Sequence, residues 1–263
     1  MDILIPIITL GVLGLIFGIG LAIASKKLAV VTDPRLERIH GLLPGSNCGA
    51  CGGAGCFGFA EQLLSGKASV EACRVSEQAI KEKIAELLGK KIEQTAKKVA
   101  VLHCNGGLKV ADRFRYDGIE DCLAVNLVLG GQKECVFGCL GFGSCVKVCP
   151  FEAISMSAEG LPIVDRDLCK ACNKCVLVCP KKLFCLIEAK HSVVVSCKSH
   201  DLGKDTKSVC PVGCIACQLC LKACKFDAIH VIDNLAVIDY QKCTSCGECI
   251  KVCPMKTIGS NEA

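Results

Sequence analysis

The 263-residue chain contains no tryptophan, two tyrosines and only 4% aromatic residues in all. Single strands are held by stacking on aromatic side chains, so without a clustered aromatic and arginine surface the chain offers no nucleic-acid platform. No GxGxxG string follows a strand, so the Rossmann fingerprint is missing and pyridine nucleotide and flavin are expected to bind elsewhere. None of the five histidines, His40 and His103 among them, has a carboxylate or serine partner at catalytic spacing. Each is expected in a core or in solvent, and no catalytic side chain is proposed.

What the chain has in excess is cysteine, 25 residues in 263. Such density signals either a disulfide scaffold or metal binding. The chain is too long for a disulfide miniprotein, 51% of it is hydrophobic, and an odd count cannot be used up in pairs. Spacing decides for metal, because many of the cysteines stand three residues apart in triplets. The formal net charge of +5 counts every thiol as neutral. Thiolate-bound cubanes near −2 each, five in number, would move it by about −10, leaving an acidic loaded protein.

Residues 3–25 carry no charge and are nearly all apolar or glycine, the length of one bilayer crossing. The start is acidic (Met1, Asp2) and the run is longer than a signal-peptide core, which favours a permanent anchor. Lys26 and Lys27 follow directly, so the positive-inside tendency puts the rest of the chain in the reducing cytoplasm. Residues 76–94 place Ala79, Ile80, Ile84, Leu87, Leu88 and Ile92 at helical spacing, predicting a surface amphipathic helix. KKVAVLHC reads as a strand ending at Cys104.

Beyond residue 135 the chain repeats, with Cys145 and Cys220, Cys149 and Cys224, Cys169 and Cys243, and Cys179 and Cys253 lying 74 or 75 residues apart. The expected fold is α+β: a transmembrane anchor (1–27), a small [4Fe-4S] domain (28–95), an α/β insert (96–134) and two tandem bacterial ferredoxin-like modules (135–190 and 191–263).

The strongest motif is Cys169-x2-Cys172-x2-Cys175-x3-Cys179-Pro180, repeated as Cys243-x2-Cys246-x2-Cys249-x3-Cys253-Pro254. In this bacterial ferredoxin run three thiolates bind one [4Fe-4S] cluster and the fourth reaches to its neighbour. Zinc sites use two CxxC pairs instead. Cys214, Cys217, Cys220 and Cys224 form a partner run with Lys225 where proline is usual, and Cys135, Cys139, Cys145 and Cys149 form a looser one. Crossed pairing predicts Cys214, Cys217, Cys220 and Cys253 on one cluster and Cys243, Cys246, Cys249 and Cys224 on the next. In the upstream module it predicts Cys135, Cys139, Cys145 and Cys179, then Cys169, Cys172, Cys175 and Cys149. A fifth group is Cys48, Cys51, Cys56 and Cys73, whose glycine-rich string has neither a preceding strand nor a following Lys-Ser/Thr. Cys104, Cys122, Cys185, Cys197 and Cys210 remain. They read as small buried residues, or some of Cys104, Cys122, Cys197 and Cys210 form a sixth metal site or replace Cys135.

Together the anchor, CGACGGAGC with its distant Cys73, HCNGG at 103–107, VFGCLGFGSCVKVCPFEAI and the terminal modules resemble the B subunit of the Rnf complex. The resemblance covers essentially the whole chain. It implies a single-pass subunit of the bacterial inner membrane that takes electrons from reduced ferredoxin and relays them to partner subunits. Their electron flow to NAD would drive export of sodium ions or protons. An anchor without a buried ionisable residue offers no ion path, so translocation would belong to those partners. Two other readings stay open: a polyferredoxin subunit of a membrane hydrogenase or formate-oxidising complex, and a cytosolic iron–sulfur sensor.

Overall fold

Helix α1 (Leu4–Lys27) is uninterrupted, and from Ile7 to Lys27 its mean hydropathy is 2.6 with none of it buried by the rest of the chain. Twenty-four residues rise about 36 Å, enough for a hydrocarbon core of about 30 Å. From Ile7 onward its isoleucines, leucines and Phe17 all point outward, a surface that water does not tolerate and lipid does. The computed structural model describes residues 4–27, 33–90, 92 and 96–260.

The N-terminal domain is three helices around one core. Asp33 caps α2 (Pro34–Leu42), accepting from the Arg35 backbone N–H at 2.9 Å, and Pro34 supplies a first helical residue with no N–H to satisfy. α2 buries Leu36 and Ile39 against α3 (Gly55–Leu64), whose Cys56, Phe59, Ala60 and Leu63 recur at one-face spacing. The expected amphipathic helix is α4 (Gln78–Leu88), ended by Gly89 in the left-handed conformation. Ile84 is buried and Ile80, Leu88 and Ile92 pack on the core, while Ala79 and Leu87 face outward. Residues 91, 93 and 94 of the expected span lie outside the described residues.

Each ferredoxin module pairs a terminal two-stranded sheet with a short hairpin. In module 1, β1 (Lys98–Leu102) runs antiparallel to β4 (Phe184–Glu188), with Val99 opposite Ile187 and Val101 opposite Cys185. The strand expected within the insert is therefore the first strand of module 1's own sheet, and only the segment after it is inserted. That segment holds α5 (Cys122–Leu127) and leads to α6 (Ser144–Lys147). β2 (Ile154–Met156) and β3 (Pro162–Val164) form the hairpin, and α7 (Lys174–Val178) leads into β4.

Module 2 repeats the plan. β5 (Val193–Val195) is followed by α8 (Gly203–Val209) and α9 (Leu219–Ala223), then by the hairpin β6 (Ile229–Ile232) and β7 (Leu235–Ile238). Asp233 and Asn234 both adopt positive φ, 46° and 63°, the turn that matches the strands' own twist. α10 (Glu248–Lys251) precedes β8 (Ile258–Ser260), which pairs with β5. Cysteines are part of both cores: Cys145, Cys169 and Cys175 sit among Val99, Ile154 and Phe184, and Cys214 and Cys220 among Val193, Ile229 and Ile258.

Candidate iron–sulfur sites

Four short loops share one backbone geometry. Cys145, Cys175, Cys220 and Cys249 each occupy the second residue of a short helix. The residue before each helix is left-handed: Gly143, Asn173, Gln218 and Gly247, with φ between 60° and 77°. So is the residue two earlier: Gly141, Ala171, Ala216 and Ser245. Left-handed φ at a non-glycine residue costs of order 1 kcal/mol. The loops bear it because alternating hands turns successive N–H groups toward one concave face, a cradle for negative charge. Backbone N–H groups already point at sulfur: Ser245 N–H donates to Cys243 Sγ at 3.4 Å, Ala228 N–H to Cys224 Sγ at 3.4 Å, and Leu183 N–H to Cys179 Sγ at 3.4 Å.

The thiols gather in fours. Cys48, Cys51, Cys56 and Cys73 line one cavity, and Asn47 Oδ1 accepts from the Cys56 N–H at 2.8 Å to hold the loop on α3. Gly53 is obligatory there, since a Cβ would lie 2.8 Å from the Phe59 nitrogen. Cys214, Cys217, Cys220 and Cys253 line another cavity. Cys169, Cys172 and Cys175 lie beside one another, and Cys149 is near enough to raise the Cys172 pKa. Cys243 and Cys246 likewise act on Cys249, and Cys224 packs on the same core.

The first run of module 1 is arranged otherwise than its spacing predicts. Because Cys145 takes the third-cysteine place of its loop, Cys139 takes the first, and the second falls on Phe142. Phe142 instead packs edge-on to Tyr116, ring centres 5.6 Å apart. Cys122 fills the gap: with Cys139, Cys145 and Cys179 it lines one cavity. A latch holds it in place. Ser144 Oγ donates to Asp121 Oδ2 at 2.7 Å and accepts from the Cys122 N–H at 2.8 Å, while Asp121 Oδ1 caps α5 through Leu123 and Ala124. The Ser144 hydroxyl holds the Asp121 carboxyl below its usual range. A loop-by-loop count exposes the missing second cysteine, but nothing local points to Cys122.

Cys135 stands apart from that group. It joins Cys104, Cys197 and Cys210 around a cavity between the two modules, whose wall Cys139 shares. These four are two duplicated pairs. Cys135 and Cys210 lie 75 residues apart, four before the first cysteine of their respective runs, and Cys104 and Cys197 each stand two residues past the first strand of their module. Their sulfurs receive backbone donors, from Cys139 to Cys104 at 3.4 Å and from Ser199 and Cys214 to Cys197 at 3.4 Å. The shared repeat offset is present in the sequence, but it links thiols across modules, so spacing within a run does not reveal it. Cys185 alone stays outside the six groups: His103 Nδ1–H donates to the Val195 carbonyl at 2.7 Å, and the Cys185 thiol donates to Nε2 at 2.8 Å. Burial lowers the His103 pKa, consistent with that neutral tautomer.

All 25 cysteines are free, so the disulfide reading falls. Among the described residues no three His, Cys, Asp or Glu side chains close tightly enough for a single ion. Thiols that ring cavities instead of converging suit a larger, polynuclear group rather than zinc, whose sulfur ligands stand at about 2.3 Å. The family models agree. An Fe-S cluster model matches residues 43–75, and 4Fe-4S dicluster domains match 134–183 and 213–257. Over 98% of its length the chain is 45% identical to the B subunit of the Na(+)-translocating ferredoxin:NAD(+) oxidoreductase complex of Acetobacterium woodii, covering 78% of that protein. It is 40% identical to the B subunit of the ion-translocating oxidoreductase complex of Methanosarcina acetivorans, over 94% of each chain. The proton-translocating counterpart of Clostridium ljungdahlii is also 40% identical, over 96% of this chain and 90% of that one. The chain belongs to the B-subunit family of Rnf complexes. It is a membrane-associated iron–sulfur electron-transfer subunit.

In this Rnf subunit the iron-free thiols resist ionisation. Burial pushes Cys139 and Cys175 up to about 12 and Cys135, Cys145, Cys220 and Cys249 up to about 11, with neighbouring thiols adding to the effect. At neutral pH the thiols are protonated until iron displaces the protons, so loading releases acid. Raised folded-state pKa values stabilise the iron-free fold fully below about pH 9, a stabilisation lost as pH climbs toward 11 to 12. The urea midpoint of the reduced, iron-free chain is therefore expected to fall above pH 9. A midpoint constant from pH 8 to 11 would show that the thiols are not buried in this way.

Proposed function

We propose that the chain holds six [4Fe-4S] clusters, one on each four-thiol group, and passes electrons from a reduced ferredoxin to membrane-embedded partner subunits. The ligands would be Cys48, Cys51, Cys56 and Cys73; Cys149, Cys169, Cys172 and Cys175; Cys122, Cys139, Cys145 and Cys179; Cys104, Cys135, Cys197 and Cys210; Cys214, Cys217, Cys220 and Cys253; and Cys224, Cys243, Cys246 and Cys249. When bound, a cluster of this kind supplies a one-electron carrier whose potential follows its hydrogen bonds and exposure.

The observation that carries the reading is that the six groups follow one another without a break. The Cys48 thiol is near enough to act on the Cys172 pKa and Cys145 on that of Cys175, and the Cys139 N–H reaches Cys104 Sγ. The Cys214 N–H reaches Cys197 Sγ, and Cys220 lies beside Cys249. The group at the module interface is the link between modules 1 and 2. The chain's own work is to space these thiols, donate N–H groups to their sulfurs and keep water from most of them.

One end of the line is tied to the membrane. Seven residue steps separate Lys27 from Pro34, a reach of at most about 25 Å. That arrangement favours partners within the bilayer at the Cys48 end, with the soluble part on the cytoplasmic side of the inner membrane. Ferredoxin as donor and NAD as terminal acceptor are taken from the names of the relatives, which divide between sodium ions and protons as the exported ion. α1 has no ionisable residue between Ile7 and Ser25, so the ion path falls to partner subunits. Anaerobic iron and sulfide analysis tests the count: about 24 of each per chain is expected, and about 20 or fewer would remove the interface cluster from the reading.

A further inference from the structure

The duplication separates what a ferredoxin module needs from what one copy adds. In each copy the residue after the first strand donates its backbone N–H to the residue before the last strand, His103 to the Leu183 carbonyl and Ser196 to the Thr257 carbonyl, both at 2.8 Å. The cysteine that follows is Cys104 in one copy and Cys197 in the other. The strand registers agree, because Val101 stands opposite Cys185 and Val194 opposite Gly259. The copies thus share one backbone frame and differ at two side chains within it, His103 where module 2 has Ser196 and Cys185 where it has Gly259. A serine and a glycine suffice for the module's own pairing, so the imidazole and the thiol answer to something outside it.

The imidazole reaches the other module. Its Nδ1–H donates to the carbonyl of Val195, the last residue of β5, at 2.7 Å, and the Cys185 thiol on β4 holds the opposite edge of the ring through Nε2 at 2.8 Å. One edge is tied to module 1 and the other to module 2. The tie stands beside two thiols of the interface group, since Cys104 directly follows His103 and Cys197 comes two residues after Val195. His103 lines the cavity that those thiols share with Cys135 and Cys210. In a site drawn from a single loop, chain connectivity sets the spacing of the ligands. Here the ligands come in pairs from two modules, so contacts across the interface must set it, and groups just outside a ligand set are what orient it.

We propose that His103 is a positioning residue for the cluster at the module interface, a clamp that fixes the span between Cys104 and Cys197, and that Cys185 is the thiol that aims it. The proposal rests on the reading that Cys104, Cys135, Cys197 and Cys210 hold a cluster, and adds what keeps the two halves of that site in register. The role is mechanical. With one nitrogen donating to a carbonyl and the other accepting from a thiol, the ring is held at both edges, carries no electron and moves no proton. Passage of electrons from one module to the other then depends on a histidine that does not itself bind iron.

The test uses the full, iron-loaded chain in detergent under anaerobic conditions. The interface cluster is identified as the EPR signal, and the about four irons, that Cys104→Ala lacks. His103→Leu, which removes both bonds of the ring, is expected to keep about 24 irons as isolated, to change the line shape of that one signal and to release its iron to a chelator about tenfold faster. His103→Asn keeps an N–H donor close to the Nδ1 position, so it should restore the line shape and bring release to within about threefold of the natural chain. At the other edge, Cys185→Ala should speed release about fivefold with full iron as isolated, and Cys185→Ser, which keeps a donor, should not. The other five signals are expected to stay as they are in all four variants. A natural line shape and release rate in His103→Leu, or faster release from every site alike, overturns the clamp while the six-cluster reading stands. A natural chain with about 20 irons that loses none in Cys104→Ala overturns that reading and the clamp with it.

Discussion

Replacing Cys122 with alanine is expected to remove about four irons per chain, although no short-range motif includes this residue. The loop from Cys139 to Cys145 has the same left-handed positions as the three regular runs, with Phe142 at the second-cysteine place. Cys122 lines the cavity that Cys139, Cys145 and Cys179 share, so its loss leaves a three-thiol site. Two controls sharpen the result. Cys185→Ala should keep full iron, because its thiol is turned to His103. Asp121→Ala should cost about 1 kcal/mol through the lost α5 cap and make iron at this site easier to strip with a chelator, since Cys122 would no longer be latched to Ser144. Full iron in Cys122→Ala would return the ligand role to Cys135.

Cys104→Ala and Cys210→Ala are each expected to lower iron from about 24 to about 20 and also to divide the chain electrically. The interface group touches the Cys139 loop on one side and Cys214 on the other. Without it, the nearest thiol groups of the two modules have no intermediary. Freeze-quenched EPR after mixing with reduced ferredoxin should show fast reduction of signals from one side only, whereas the natural chain fills throughout. The two outcomes separate cleanly. Lost iron with undisturbed reduction would make the site structural, and unchanged iron would mean that these four thiols do not ligate. Because Cys104 and Cys210 come from different modules, equal iron loss in the two variants would itself locate the site at their interface.

The anchor, the duplicated modules and the amphipathic helix were all legible, because each rests on a pattern within one segment: an apolar run, a 74- or 75-residue offset, a helical period. The strand at 98–102 was legible as a strand but not as part of module 1. Its partner β4 lies more than eighty residues away, and antiparallel pairing leaves no mark on either strand's own alternation. Cys185 and His103 carry no signal singly; the fold places them 2.8 Å apart.

For the ligands the division is sharper. Residue order by itself determined that Cys169, Cys172 and Cys175 share a loop, and likewise the triplets at 214 and 243, because three thiols three residues apart on a tight turn have nowhere else to face. It determined too that residues 3–25 need an apolar surrounding. Only the tertiary structure brings Cys122 to the cavity of the irregular loop and Cys104, Cys135, Cys197 and Cys210 to one another. Those positions depend on a helix latched by Asp121 and Ser144 and on two modules packed face to face. Contacts of that kind are set by what each surface buries against the other, which no spacing along the chain records.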